Sequence, residues 1–495
     1  MGSTAKIVSG VAWTTIVNII NGVYGFVSVP ILIAYFGKSD YGLIGLAMSV
    51  NLYLRLIDLG FSSTNVRFFS NWLAKRDFQN VNRLFKTSLS FYGTLGLLNA
   101  IILLVISLFS DSIFNVSPEQ DMIVKNLFYI LSISAFISWY TSCFDQLIKA
   151  NELVGWTQKM TLLPKLLQIT ILILTVTVGF SIEWYYALTT FSMFFILPFM
   201  IRKINLLCPY VSFWPSFDKK IFKEVLPYSL NIFSFGLFQF SVVNLRPVFL
   251  GIESTPDSIT DYRILDGIVR IVMMLGGTFM GVFLPSASKV VAMHNQAAQD
   301  QIAYQGTKFI SIAICFFCFG MMSVSSEILM VYVGKDYLYL TFWLDLWLLA
   351  TLATHNQAIS SLILAGSDIR AITYSTMSAS VIGLLLTWFL IPMYDVGATV
   401  IGYCVYCLIQ ILFYYLYYWP KRMKLNSLQI FLNSFFPFVL VGCVLSLLIC
   451  YLINDMGLWQ RLILKGITFF VAYSVLVWLI IPHDDKIFIK KLIKR

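Results

Sequence analysis

Three arginine residues interrupt apolar stretches that are long enough to cross a lipid bilayer. Arg55, Arg246 and Arg270 each have long hydrophobic runs on both sides. A charged side chain at bilayer depth costs about 2.5–3.5 kcal/mol on insertion scales, so such residues usually face a protein interior or a water-filled cavity. Because a guanidinium group can form two parallel hydrogen bonds to a carboxylate or a phosphate, these arginines are candidate ligands for an anion.

Acidic residues lie at helical spacing from two of these arginines. Asp58 follows Arg55 by three residues, and Asp266 precedes Arg270 by four, so each pair falls on one face of a helix. One interpretation is that the pairs neutralise each other and tie helices together. The alternative is that Arg55 and Arg270 line a cationic cavity, with Asp58 and Asp266 as cavity charges or ion-coupling groups. Arg246, near the predicted outer end of its helix, either binds cargo or extends to the membrane interface.

Two predicted helices also carry stripes of polar and small residues. The stripe on the first helix consists of Thr14, Asn18, Asn21, Gly25 and Ser28, and the stripe on the seventh consists of Asn231, Ser234 and Ser241. Small residues at this spacing allow helices to pack closely, which is the structural interpretation. The functional interpretation is that Asn18, Asn21 and Asn231 form hydrogen bonds to a polar cargo.

The overall composition is that of a membrane protein. Of the 495 residues, 59% are hydrophobic and only 12% are charged, whereas soluble proteins carry about 25% charged residues. The apolar runs have the length of transmembrane helices rather than of strands in an outer-membrane barrel. We therefore predict an all-α polytopic membrane protein with about 14 transmembrane helices. The predicted spans are 9–36, 42–65, 84–109, 123–147, 161–180, 183–201, 226–250, 260–286, 306–331, 339–363, 373–392, 395–418, 428–452 and 460–481.

Basic residues set the predicted orientation of these helices. Most of the 34 Lys and Arg residues lie at the N-terminus, in every second loop and in the C-terminal tail, and Lys159 and Lys165 are assigned to this set. Because cytoplasmic loops carry such an excess, both termini are predicted to lie in the cytoplasm. The dispersion of the charges over short loops argues against nucleic-acid binding. No residue pattern predicts a metal site, a bound cofactor or the direct use of ATP.

Two halves of the sequence resemble each other. Lys6 and Pro30 match Lys223 and Pro247 at one offset, and further matches follow in the same order along the chain. We therefore predict an N-lobe at 1–205, a cytoplasmic linker at 206–225 and a C-lobe at 226–420. Residues 421–495 are predicted to form two added helices and a basic cytoplasmic tail. A duplicated helical bundle is typical of transporters that work by alternating access.

The first third of the chain resembles a known family of membrane proteins. The likeness lies in GVAWT at 10–14, YFG at 35–37, DYGL at 40–43 and LIDLGF at 56–61, followed by Arg67. These segments are similar to those of bacterial polysaccharide repeat-unit flippases, the O-antigen flippase family. That family belongs to the multidrug/oligosaccharidyl-lipid/polysaccharide exporter superfamily, whose lobes and added helices match the predicted architecture.

This resemblance implies a transporter of the bacterial inner membrane and not an enzyme. Its cargo would be an undecaprenyl-pyrophosphate-linked oligosaccharide, moved from the cytoplasmic to the periplasmic leaflet through a cationic central cavity. Related flippases are similar in having cavity arginines on the second and eighth spans, where Arg55 and Arg270 lie here. The implied partners are membrane lipids and the polysaccharide polymerase and chain-length regulator of the same pathway. A proton or a sodium ion is the coupling ion to consider.

Two other transport functions stay open at the level of sequence. A cation-coupled multidrug exporter of the same superfamily would use an acidic or apolar cavity, so the intramembrane arginines argue against it. A flippase for a lipid-linked peptidoglycan precursor would carry the same phosphate chemistry.

Overall fold

A computed structural model describes residues 3–58, 60–293, 295–365, 370–453, 456–483 and 485–486. Within these ranges, side chains are described except at 3–12, 231–232, 234–235, 275–282, 284–286, 288, 292, 365 and 370. The protein is 90% helical, and the described residues contain no strand. The prediction of an all-α membrane protein is therefore confirmed.

The chain forms two compact units. The first comprises Met1–Tyr262 with Ile391–Val396, and the second comprises Arg263–Leu390 with Gly397–Arg495. These bounds differ from those of the predicted lobes at 1–205 and 226–420. The lobes, the linker at 206–225 and the added segment at 421–495 stay a prediction, because they rest on the internal repeat rather than on contacts.

The helices of the first unit account for most of its residues. They are α1 Ser3–Phe36, α2 Lys38–Leu54, α3 Phe61–Ala74, α4 Phe78–Leu108, α5 Ser110–Ile113, α6 Pro118–Ala150, α7 Val154–Met160, α8 Leu162–Leu174, α9 Ile182–Ser192, α10 Leu197–Leu207, α11 Lys219–Asn244 and α12 Arg246–Glu253. Helix α13, Pro256–Ala292, begins in this unit and continues into the second.

The second unit contains the remaining helices. They are α14 Gln296–Gln301, α15 Thr307–Met322, α16 Ser325–Tyr332, α17 Thr341–Thr351, α18 Gln357–Ala365, α19 Arg370–Tyr394, α20 Val396–Phe413, α21 Ser427–Gln429, α22 Phe436–Leu452 and α23 Leu458–Ile480. Segments of 3-10 helix are Arg55–Asp58, Met193–Ile196, Lys335–Leu340 and Leu352–Asn356, and π-helical segments are Thr175–Gly179, Ile302–Gly306, Tyr414–Met423 and Ile430–Phe435.

Most of the predicted spans correspond to long apolar helices. Within the described residues, 11 helices are long and apolar enough to cross a membrane, and the bent pair Lys38–Asp58 with Phe61–Ala74 makes up to 12. The predicted spans that are not among these are the seventh and eighth, which overlap α11 and α13. The predicted number of 14 spans is therefore approximate.

Local sequence signals explain where helices α4 and α6 of the first unit begin. Helix α4 follows Asp77, whose side chain accepts a hydrogen bond from the backbone of Asn80. Helix α6 begins with a capping box, in which Ser117 precedes the helix and Gln120 lies in its first turn, and it has proline in that turn as well. The two helices pack closely, since a Cβ atom added at Gly96 would lie 3.0 Å from the Cα of Phe136.

Ion pairs hold the last helix of the second unit. Lys465 of α23 lies 2.8 Å from Glu327 of α16, and both side chains are buried. Asp485, just after α23, lies 2.7 Å from Lys308 of α15. Helix α23 is thus attached near both of its ends by charged groups as well as by apolar packing.

Candidate functional site

A break in the second predicted span determines the position of Arg55. Helix α2 ends at Leu54, the segment Arg55–Asp58 is a 3-10 helix, and α3 starts at Phe61 with the chain bent by 44°. Gly60 has a φ of 75°, a left-handed conformation that glycine adopts without strain.

The side chain of Arg55 is exposed, and its Nη2 donates a hydrogen bond to Ser138 Oγ of α6 at 2.5 Å. Discontinuous helices of this kind mark binding sites in many transporters.

Asp58 is held by neutral groups rather than by Arg55. Its Oδ1 accepts a hydrogen bond from the Tyr92 hydroxyl at 2.8 Å, and its Oδ2 accepts one from the backbone N–H of Ser62 at 3.0 Å. Among the described residues, no carboxylate oxygen lies within 4.0 Å of a nitrogen of Arg55. Arg55 and Asp58 therefore form no direct ion pair, although each charge acts on the other through space.

The hydrogen bonds of Asp58 continue into a buried polar network. Gln146 Nε2 donates to the Tyr92 hydroxyl at 2.8 Å, and Asn65 Nδ2 donates to Gln146 Oε1 at 2.8 Å and to Ser88 Oγ at 2.9 Å. Tyr92, Gln146, Asn65 and Ser88 are all at most 1% exposed. Asn65 donates to Gln146, Gln146 donates to Tyr92, and Tyr92 donates to the carboxylate of Asp58. The network therefore ties α3, α4 and α6 to the helix break and favours a negative charge on Asp58.

The second predicted pair, in the other unit, does form. Arg270 Nη2 donates to Asp266 Oδ2 at 2.6 Å within helix α13. The Asp266 side chain is 12% exposed, whereas that of Arg270 is 60% exposed. The carboxylate is thus packed into its unit and orients a guanidinium that lies at the surface of that unit.

Arg246 is in a different environment from the other two arginines. It is 1% exposed, at the start of α12, and its guanidinium lies 5.2 Å from the centre of the Tyr262 ring. The Tyr262 hydroxyl donates to the backbone oxygen of Val243 at 3.3 Å. Such deep burial does not fit the interpretation in which Arg246 extends to the membrane interface.

The predicted polar stripe on α1 is accessible in part. Asn18 and Asn21 are exposed, whereas Ser28 is buried and its hydroxyl donates to the backbone oxygen of Gly25 at 3.4 Å. The side chain of Asn231 lies outside the described part of the structure.

Lys165 lies deeper in its helix than its predicted place in a cytoplasmic loop implies. Lys165 was predicted to belong to the cytoplasmic basic set, but it lies near the middle of the apolar span Val154–Gly179. The signal was present in the sequence, because Lys165 is inside the predicted span 161–180. The hydrogen-bond network of Tyr92, Gln146 and Asn65 was not predicted from the sequence, because its members are far apart along the chain.

Comparison with known proteins identifies the family. The sequence model of the family described as "Polysaccharide biosynthesis protein" matches residues 7–291. No curated protein sequence matches this chain. Among solved structures, "Lipid II flippase MurJ, inward closed conformation" is similar with a TM-score of 0.70 and 16% identity, covering 97% of this chain and 99% of that chain.

A second solved structure shows the same fold. The inward-facing conformation of a multidrug resistance MATE family transporter of the MOP superfamily is similar with a TM-score of 0.65 and 15% identity. The match covers 79% of this chain and 92% of that chain. At these identities the two structures establish the fold of membrane transporters, and the family match covers more than half of the chain. The chain belongs to the polysaccharide biosynthesis protein family.

Proposed function

We propose that this protein is a flippase for an undecaprenyl-pyrophosphate-linked oligosaccharide. It moves this cargo from the cytoplasmic to the periplasmic leaflet of the bacterial inner membrane by alternating access, with both of its termini in the cytoplasm. Membership of the polysaccharide biosynthesis protein family supports a role in polysaccharide assembly. The fold that it shares with a lipid II flippase supports a lipid-linked cargo.

The observation that carries this proposal is the position of Arg55 at the helix break. Its guanidinium is exposed, donates to the neutral hydroxyl of Ser138 and has no carboxylate within ion-pair distance in the described residues. A pyrophosphate headgroup is strongly anionic and costly to move through lipid without polar contacts. A guanidinium replaces part of its hydration shell by charge-assisted hydrogen bonds.

Further contacts to the cargo are assigned by exposure. Arg270 is a second candidate for the anionic headgroup, since Asp266 orients it at the surface of its unit. The exposed amides of Asn18 and Asn21 suit the hydroxyl groups of a sugar. Arg246 is a weaker candidate because it is buried. Asn231 is a weaker candidate because its side chain lies outside the described part of the structure.

The energy source and the partners follow from the same proposal. Asp58 and Asp266 are the carboxylates that we consider for binding a proton or a sodium ion. Moving one such charge across a membrane potential of 100 mV supplies about 2.3 kcal/mol. The polyprenyl chain stays in the lipid, and the polysaccharide polymerase and chain-length regulator of the pathway receive the product. In this scheme the protein transports its cargo without chemical change and is not an enzyme.

A second candidate function is a cation-coupled multidrug exporter. Two observations favour it. The fold is similar to that of a multidrug transporter, and Asp58 accepts its hydrogen bonds from neutral donors. A carboxylate that is not hydrogen-bonded to a basic side chain is a suitable contact for an organic cation. The exposed guanidinium of Arg55, which forms no direct ion pair with a carboxylate of the described residues, opposes this function because it repels such a cargo.

Native mass spectrometry of the purified protein distinguishes these functions. The protein is produced in a bacterial host that makes an undecaprenyl-linked glycan, as wild type and as Arg55→Ala and Arg270→Ala. The exposed Arg202 provides the matched control Arg202→Ala. We expect the wild type and the control to retain a pyrophosphate-linked glycan that both other variants lose. Wild-type protein that carries only phospholipid and binds a cationic drug would overturn the proposal.

A further inference from the structure

Two lysines of the apolar span Val154–Gly179 lie against aromatic rings of helix α1. The Nζ of Lys165 in α8 lies 4.3 Å from the centre of the Tyr24 ring. The Nζ of Lys159 in α7 lies 4.9 Å from the centre of the Trp13 ring. All four residues belong to the first unit.

The charge of Lys165 is not neutralised by the protein. Its Nζ donates to Gln168 Oε1 at 2.8 Å, and no carboxylate of the described residues lies within 4.0 Å of it. An ammonium group has three hydrogen-bond donors, so this neutral amide leaves donors for a ligand. The side chain is half-buried near the middle of the span Val154–Gly179, where a lysine is rare and usually functional.

The two cations follow one line along α1. Trp13 and Tyr24 are eleven residues apart, which corresponds to about three turns and places both rings on the same side of the helix. Asn21 lies between the two rings along the helix and is exposed. Lys159 is exposed as well, so the line of cations extends from an accessible position to the interior of the span.

Anchoring of α7 and α8 to α1 is the alternative role of these lysines. A cation–π contact stabilises such an anchor, but it offsets only part of the cost of placing an ammonium inside the membrane. An apolar side chain would pack against Tyr24 without that cost. The residue type is therefore better explained by a ligand than by packing.

We propose that Lys165, Lys159 and the side of α1 that faces them form an anion-binding subsite in addition to Arg55. This inference rests on the proposed function, because its ligand is an anionic group of the same lipid-linked cargo. That group is a phosphate of the lipid carrier or a carboxylate of an acidic sugar in the oligosaccharide. A lysine ammonium binds either of these groups as a point charge.

Binding to defined lipids in nanodiscs tests the subsite. The three probes are undecaprenyl pyrophosphate without sugar, the same lipid with a neutral trisaccharide, and the same lipid with a trisaccharide that contains glucuronic acid. The variants are Lys165→Gln and Lys165→Arg, with Lys220→Gln as a matched control because Lys220 is exposed at the start of α11.

We expect Lys165→Gln to weaken binding about tenfold, the effect of one lost charge-assisted hydrogen bond. Lys165→Arg and Lys220→Gln should stay within about twofold of the wild type, since both keep the charge at position 165. Weaker binding of the sugar-free lipid identifies a carrier phosphate as the ligand, and a loss confined to the glucuronic acid lipid identifies a carboxylate.

The subsite and the proposed function fail in different ways. Wild-type binding that Lys165→Gln leaves unchanged for all three lipids overturns the subsite alone. A wild type that binds none of the lipids overturns the proposed function and the subsite with it. If Lys165→Gln does not fold, the exposed Lys159→Gln provides the same test, and unchanged binding of all three lipids again overturns the subsite.

Discussion

Asp58 accepts a hydrogen bond from the Tyr92 hydroxyl at 2.8 Å, although Arg55 lies only three residues before it. The same hydroxyl accepts a hydrogen bond from Gln146 at 2.8 Å. Tyr92 is thus both donor and acceptor at the centre of the network that joins α4 and α6 to the helix break. Asp58 thus has a hydrogen-bond donor other than Arg55, whose guanidinium contacts Ser138.

Tyr92→Phe should destabilise the first unit without changing its apolar packing. The change removes one of the two hydrogen bonds to Asp58 and leaves the amide of Gln146 without its acceptor, at a cost of about 1–3 kcal/mol. Thermal unfolding in detergent measures the loss. Tyr129→Phe on α6 is the control, because Tyr129 is exposed. Equal unfolding temperatures for the two variants would contradict a stabilising role of the network.

The ion pair between Lys465 and Glu327 should be costly to break from one side. Lys465→Met leaves a carboxylate that is 1% exposed, with Arg461 Nε at 3.9 Å as its remaining basic neighbour. Removing one partner of a buried pair typically costs about 3–5 kcal/mol, whereas replacing both is often close to neutral. We therefore expect the double variant Lys465→Met with Glu327→Gln to unfold at a higher temperature than Lys465→Met alone. A double variant that is less stable than the single one would contradict this account.

The helices were predictable from the sequence because an apolar run of transmembrane length has few other structures to adopt. The residues at which these helices begin and end were harder to predict. Helix α4 starts at Phe78 rather than near 84, because Asp77 caps a polar first turn that hydropathy alone does not include. The orientation of the spans and the internal repeat stay predictions, since neither the family match nor the shared fold tests them.

The candidate site was predictable only where its partners are close in sequence. Asp266 and Arg270 form the pair that spacing of four residues in a regular helix predicts. Arg55 and Asp58 form no direct ion pair, although a 3-10 segment places residues three apart on one face. Tyr92, which is distant in sequence, supplies a competing donor to Asp58. Asn65 and Gln146 are 81 residues apart, so no local pattern indicates their hydrogen bond.

Two glycines of the second unit should respond in opposite ways to the same substitution. A Cβ atom at Gly402 of α20 would lie 2.0 Å from Thr387 Oγ1 and 2.5 Å from the backbone oxygen of Gly383, both in α19. Gly402→Ala should therefore force the helices apart and cost about 1–3 kcal/mol. Gly466 of α23 has no such neighbour within 4 Å, and Gly466→Ala should stabilise the helix by up to about 1 kcal/mol. Thermal unfolding of the two variants compares them, and a stable Gly402→Ala would contradict the close packing.

Arg55→Lys separates the charge of Arg55 from its geometry. A lysine keeps the positive charge at the helix break but cannot form two parallel hydrogen bonds to a phosphate, and its shorter reach weakens the contact with Ser138. If the headgroup of the cargo binds there, Arg55→Lys should export about tenfold less glycan than the wild type, and Arg55→Ala should export less still. Surface polysaccharide in a strain that lacks the chromosomal copy measures export, with Arg202→Ala as the control for loss of an exposed arginine. Normal polysaccharide from Arg55→Ala would show that the exposed guanidinium does not contact the cargo.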